Sequence, residues 1–174
     1  MQIRVVTLFP EYVDALLAFG VGARAVNAGV AKLDTVDPRS FADDVHRTVD
    51  DRPYGGGPGM VLMAGPLTAA VNAARETMPG GSRVVFLGPQ GRVFDQQVAC
   101  EFAALPGLVL VAGRYEGFDE RIVESCADDE ISVGDYVLTG GEIAAAAVVG
   151  SVLRVLPGAL GDATSAVQDS FMEG

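Results

Sequence analysis

The chain has 174 residues, 49% hydrophobic and 20% charged, with a net charge of −11 from 23 acids against eleven arginines and one lysine. That length holds one domain with its own core, and the composition excludes a disordered chain. The longest apolar runs, such as 143–150, are too short to span a bilayer, and the acidic balance excludes a nucleic-acid binder with a generally basic surface, though not one with a local arginine cluster.

No basic segment precedes an apolar stretch at the N-terminus, so no signal peptide is expected. Cys100 and Cys126 both fall in predicted helices and read as free thiols of a cytoplasmic protein. With His46 the only histidine, no Cys/His metal spacing exists. His46 itself reads as a surface or hydrogen-bonded residue.

In chain order, 3–9 is a Val/Ile-rich run ended by Pro10 and reads as a buried strand. Residues 11–19 and 23–28 read as helix, interrupted by Gly20 and Gly22. A weaker strand, 31–36, leads to a loop at Asp37-Pro38. From Asp43 to Gly59 the chain is polar and then glycine-rich, without periodicity. A loop this long in a compact domain is functional or mobile. Arg47, Arg52 and Tyr54 suit phosphate contact and base stacking, or equally a solvated surface loop.

Residues 66–78 read as a helix with Pro66 in its first turn. Residues 83–87 form an apolar strand stopped sharply by Gly88-Pro89-Gln90-Gly91. Asp95 caps a helix to about 105. The continuous apolar strand 108–112 ends in Gly113-Arg114-Tyr115-Glu116-Gly117, and Asp119 caps a helix to about 127. A short strand, 131–133, precedes Gly134-Asp135-Tyr136-Val137-Leu138-Thr139-Gly140-Gly141-Glu142. There Thr139 and Glu142 have capping-box spacing, and two glycines leave first-turn amides bare for a close ligand. The helix 142–156 stops at Pro157-Gly158. Residues 159–174 read as a linker or mobile tail.

Strand and helix alternate and the central strands are apolar throughout. The fold class is therefore α/β with a parallel sheet flanked by helices. Ligands of such sheets sit at the carboxyl ends of the strands. Three successive strands end here in glycine loops, 88–91, 113–117 and 134–141, and that convergence points to a ligand site. Taken singly, each is equally a connector.

Four motifs make the chain resemble the bacterial tRNA (guanine-N1)-methyltransferases. They are Asp50-Asp51-Arg52-Pro53-Tyr54-Gly55-Gly56-Gly57-Pro58-Gly59-Met60, the 88–91 run, Gly113 to Asp119, and the 134–142 stretch; Ser170-Phe171 after Asp169 fits as well. The resemblance covers nearly the whole chain. It implies a C-terminal deep trefoil knot forming the cofactor site, in a catalytic domain over 1–160. It implies that 161–174 is an interdomain linker, with the family's C-terminal helical tRNA-binding domain absent. Substrate would be the guanine 3′ of the anticodon in the tRNA anticodon stem-loop, methylated at N1. The protein would be a homodimer with each active site built from both subunits.

The family pattern gives residue roles that the residues alone do not. Asp169 is the expected base and Arg154 the expected cation. Expected cofactor contacts to S-adenosylmethionine are Phe86, Leu87, Pro89, Gly113, Glu116, Ser132, Val133, Gly134, Asp135, Tyr136, Val137, Leu138, Gly140 and Gly141. Asp50, Arg52, Tyr54, Gly55 and Gly59 are the expected substrate contacts. The family's magnesium dependence implies Mg2+ near these carboxylates, although no ligand spacing identifies its place. Departures are mild: Phe86 for a frequent Tyr, Val133 for Ile, Ala144 for Pro. The absent domain makes weak, steeply salt-dependent tRNA binding and very slow or absent methylation the expectation for 1–174 alone. Two alternatives stand beside this reading: a cofactor- or RNA-binding fragment without activity, and a ribose 2′-O-methyltransferase of the same fold. The Tyr54–Gly59 loop and Asp169-Ser170-Phe171 speak against the second.

Overall fold

A computed structural model describes residues 1–53, 55–161 and 170–171. The chain runs through β1 (Gln2–Val6), α1 (Pro10–Ala18), α2 (Gly20–Asn27), β2 (Lys32–Val36) and a 3-10 turn (Pro38–Phe41). Two short strands follow, β3 (Asp50–Asp51) and β4 (Val61–Leu62), then α3 (Ala64–Glu76), β5 (Arg83–Val93), α4 (Gln96–Ala103) and β6 (Gly107–Ala112). The last elements are α5 (Glu120–Cys126), β7 (Asp129–Ser132) and α6 (Gly141–Val155).

Five strands form one parallel sheet in the order β2-β1-β6-β5-β7. The order explains where a site can form. β6 inserts between β1 and β5, and β7 lies outside β5, so the ends of β6, β5 and β7 are neighbours although 20 to 40 residues separate them in sequence. The expected parallel α/β sheet flanked by helices is the observed one.

Side-chain alternation along the strands feeds two cores. Ile3, Val5, Val85, Leu87, Leu108 and Leu110 pack against α1, α2, α4 and α6; Val6, Val84, Phe86, Val109 and Val111 pack against α3 and α5. Every residue of β6 is buried, which is why its run reads as unbroken apolar sequence.

Several expectations need correction. The helix break falls at Phe19 alone, and Gly20 and Gly22 lie inside α2. Gly22 is there because a Cβ would strike the Leu16 carbonyl of α1. Gly88-Pro89-Gln90-Gly91 does not stop β5: both Leu87 and Arg92 register with Ile131, so 88–91 is a four-residue outward bulge and pairing resumes to Val93. Arg92 clamps that continuation through Asp129, at 2.6 Å. Within the polar 43–59 stretch, Asp50–Asp51 forms β3 and pairs antiparallel with β4, just beyond the stretch.

The capping box is also absent. Gly140 is the N-cap of α6 without a side-chain cap bond, and Glu142 is turned inward. On α6, Ala144, Ala145, Val148 and Val149 are buried within this chain, whereas Ile143 and Ala147 are exposed. Both cysteines are free thiols, as expected. No described helix is long and apolar enough to cross a membrane.

Candidate active site

The bulge after Leu87, the loop after β6 and the loop after β7 enclose a cleft of about 270 Å³. Volumes of roughly 300–1,000 Å³ are usual for small-ligand sites, so this cleft falls just below that range. Its apolar floor comes from Leu87, Ile131, Leu138 and Ala144; its rim carries Gln90, Glu116, Glu120 and Tyr136. The predicted convergence of three glycine loops is thus realised at the carboxyl ends of adjacent strands.

Most expected cofactor contacts line this cleft: Leu87, Pro89, Gly113, Glu116, Ser132, Val133, Gly134, Tyr136, Val137, Leu138, Gly140 and Gly141. Phe86 and Asp135 do not. The Phe86 side chain is fully buried on the α5 side of the sheet, edge-on to Phe118 with centroids 4.9 Å apart. Asp135 points to solvent.

The β7 loop is tied at its start. Ser132 Oγ donates to the Gly134 carbonyl at 3.2 Å, and the Tyr136 hydroxyl donates to the Val133 carbonyl at 3.1 Å. At its end the amide of Gly141 is not bare: it donates to the Gly113 carbonyl at 2.7 Å. A Cβ on Gly141 would lie 2.6 Å from the Gly113 nitrogen and 2.9 Å from Ala112 Cα. Glycine is needed there for backbone packing, which closes the cleft between two loops.

The glycine-rich loop of 52–60 reaches the same rim. The Glu116 amide donates to the Met60 carbonyl at 2.9 Å, and the Leu62 amide to the Gly117 carbonyl at 3.3 Å. Gly59, at φ +83°, lies directly against the Glu116 side chain. Expected substrate and cofactor contacts therefore meet at Gly59 and Glu116. Asp50 is half-buried in β3, while Arg52 and Gly55 are exposed. Tyr54 and Asp169 lie outside the described residues. His46 and Arg47 are exposed near a turn organised by Asp44, whose carboxylate accepts from the Thr48 and His46 amides at 2.8 Å each and is held below its usual pKa mainly by Thr48.

Two charged groups in the cleft wall were not singled out from sequence. Glu130 is half-buried beneath the 88–91 bulge, and burial, with Glu120 adding like charge, pushes its pKa up. Arg114 pairs with the buried Glu142 at 2.8 Å. A buried glutamate demands a cation, so Glu142 beside an apolar helix start is the signal that points to Arg114. Among the described residues no group of three or more His, Cys, Asp or Glu is placed to hold a metal ion.

Residues 1–174 match the family model described as tRNA (Guanine-1)-methyltransferase TrmD. The chain belongs to this family. A tRNA (guanine-N(1)-)-methyltransferase of Methylococcus capsulatus is 55% identical over 174 residues, covering 100% of this chain and 69% of the relative. Its counterpart in Aliivibrio salmonicida is 51% identical, with 100% and 70% covered. A crystal structure described as tRNA (m1G37) methyltransferase from Aquifex aeolicus superposes with a TM-score of 0.84 at 37% identity, covering 93% of this chain and 72% of that one. The strand-end cleft is thus the candidate active site of a tRNA (guanine-1)-methyltransferase family member.

Proposed function

We propose that this protein transfers a methyl group from S-adenosylmethionine to N1 of the guanine 3′ of the anticodon in tRNA. The observation that carries the reading is the junction of Gly59 with Glu116, which seats the family's signature loop on the wall of the strand-end cleft. The cleft suits the cofactor: a narrow apolar floor for a flat ring, and loop backbone to read its edge. Leu87, Leu138 and Ala144 would hold the adenine, with backbone of 133–138 at its edge. Bound there, the cofactor supplies a methyl group on a positively charged sulfur.

Guanine N1 carries a proton at neutral pH and is a weak nucleophile until it is lost. Asp169 is the proposed base, a role worth ~10²–10⁴-fold in rate. Arg154 is the proposed partner for charge that builds on guanine O6. Arg154 is exposed in the last turn of α6, whose first residue, Gly141, borders the cleft. At ~1.5 Å per residue, 13 residues of helix put it ~20 Å along the axis from that cleft. An Arg154 that serves catalysis then serves the cleft of a second subunit, and this distance supports a homodimer with shared active sites. Exposed Ile143, Tyr12 and Phe9 offer apolar area for such a contact.

The proposed catalytic unit is 1–160, with 161–174 as linker and the knot formed by threading of the 86–91, 113–116 and 132–141 segments. The proposed setting is the cytoplasm. The described residues do not fit a preformed magnesium site, so no step is assigned to the ion. The test is transfer of label from tritiated cofactor to unmodified tRNA. Label in 1-methylguanosine supports the proposal; label in a ribose 2′-O-methyl group favours the other knotted-fold activity.

A further inference from the structure

Glu142 is 1% exposed, although it sits in the first turn of a helix that borders an open cleft. A buried charge is tolerated only when its partners are well placed. Thr7 Oγ1 donates to its Oε1 at 2.9 Å, and Arg114 Nε donates to its Oε2 at 2.8 Å. Arg114 has further donors. Its Nη1 donates to the Thr139 carbonyl at 3.1 Å, and its guanidinium covers the Phe9 ring at 4.3 Å from the centroid.

Thr139 ends the loop after β7, and much of that loop projects into solvent. The loop's start is fixed by its own hydrogen bonds, as described above. Its end is held through Arg114, which itself lines the cleft. Gly140 reinforces the arrangement, because a Cβ there would lie 2.6 Å from both Arg114 Cζ and Glu142 Oε2. The sequence leaves the space that the guanidinium fills.

We infer that Arg114 is a positioning residue for the cofactor: anchored on Glu142, it fixes the end of the 133–140 loop over the cleft and so sets cofactor affinity, without touching the transferred methyl. The inference rests on the cofactor reading above. Arginine is required because its planar fork reaches two acceptors at once, whereas a lysine ammonium is a single point of charge.

The experiment uses the full 174-residue chain and S-adenosylmethionine as probe. Arg114→Lys keeps a cation beside Glu142 and gives up the bond to Thr139. Calorimetry is expected to show Kd raised about tenfold, the scale of one lost hydrogen bond to a charged donor. In methyl transfer the change falls on the cofactor KM more than on kcat. A second variant, Arg114→Met with Glu142→Leu, replaces the buried pair by apolar groups, a change that often preserves or raises stability. It leaves the buried Thr7 hydroxyl without this acceptor, and is expected to stay folded despite that loss and still bind the cofactor at least about tenfold more weakly. Parental affinity in either folded variant overturns the inference and leaves the cofactor reading standing. If the parent chain itself binds no S-adenosylmethionine, the cofactor reading fails and this inference with it.

Discussion

Gly59 and Glu116 touch across the rim of the cleft, in a contact that leaves no room for a Cβ on Gly59. The contact joins the two segments proposed above to serve different molecules, the glycine-rich loop for tRNA and the strand-end loop for the cofactor. Gly59 has φ +83°, so alanine there is strained by ~1–2 kcal/mol and must also push Glu116 aside. Gly59→Ala is expected to lower tRNA-dependent turnover by an order of magnitude or more, and to lower the unfolding midpoint by only about 2–4 °C per kcal/mol of that strain. Steady-state kinetics beside thermal unfolding checks both halves.

Gly141 faces a different constraint. Its missing side chain lets α6 start against the Gly113 backbone. Gly141→Ala forces the two loops apart and is expected to cost about 1–3 kcal/mol of stability, as overpacking does. Urea unfolding measures it, and a stability equal to that of the parent contradicts the packing described here. Weakened cofactor binding is expected alongside, through displacement of the loops.

Glu130 makes a pH-dependent prediction. Burial and Glu120 raise its pKa in the folded protein above the usual 4.5. The fold therefore holds this proton more tightly than the unfolded chain does, and Glu130 lowers stability as pH rises from the usual value through the raised one. Glu130→Gln removes that penalty. The variant is expected to melt higher than the parent at pH 7 and to lose this advantage at pH 4. An equal difference at both pH values assigns the effect to packing.

The chemistry predicts a further separation. Asp169→Asn keeps the shape and removes the base, so single-turnover methylation is expected to fall by ~10²–10⁴-fold with cofactor affinity unchanged. Arg154→Ala also depresses turnover, and mixing inactive Asp169→Asn and Arg154→Ala subunits regains part of the activity if each site draws on both chains. Absence of any regain in mixed dimers contradicts the shared site.

The parts of the fold legible in the sequence were those fixed by local burial. Residues 84–87 and 108–112 are continuous apolar runs because both sheet faces are covered, and their glycine endings place the cleft. What the sequence concealed depended on distant partners. Glu142 has the right spacing for a capping box with Thr139, yet Thr7, 135 residues away, and Arg114 outcompete the helix end for its carboxylate. The strand β5 outlives Gly88-Pro89-Gln90-Gly91 because β7 offers a partner on the far side of the bulge. The alanines of α6 resemble an unfilled surface, but small residues are what allow the helix to pack closely on α4, α1 and the sheet. The two-residue strands β3 and β4 are too short to show periodicity.

The most direct measurement is a single-turnover reaction of stoichiometric protein with tritiated S-adenosylmethionine and unmodified tRNA that carries guanine 3′ of the anticodon, followed by nucleoside analysis. The account predicts tritium in 1-methylguanosine at that position, and none when the guanine is replaced by adenine. Label in a ribose methyl group, or in a nucleotide other than that guanine, contradicts it.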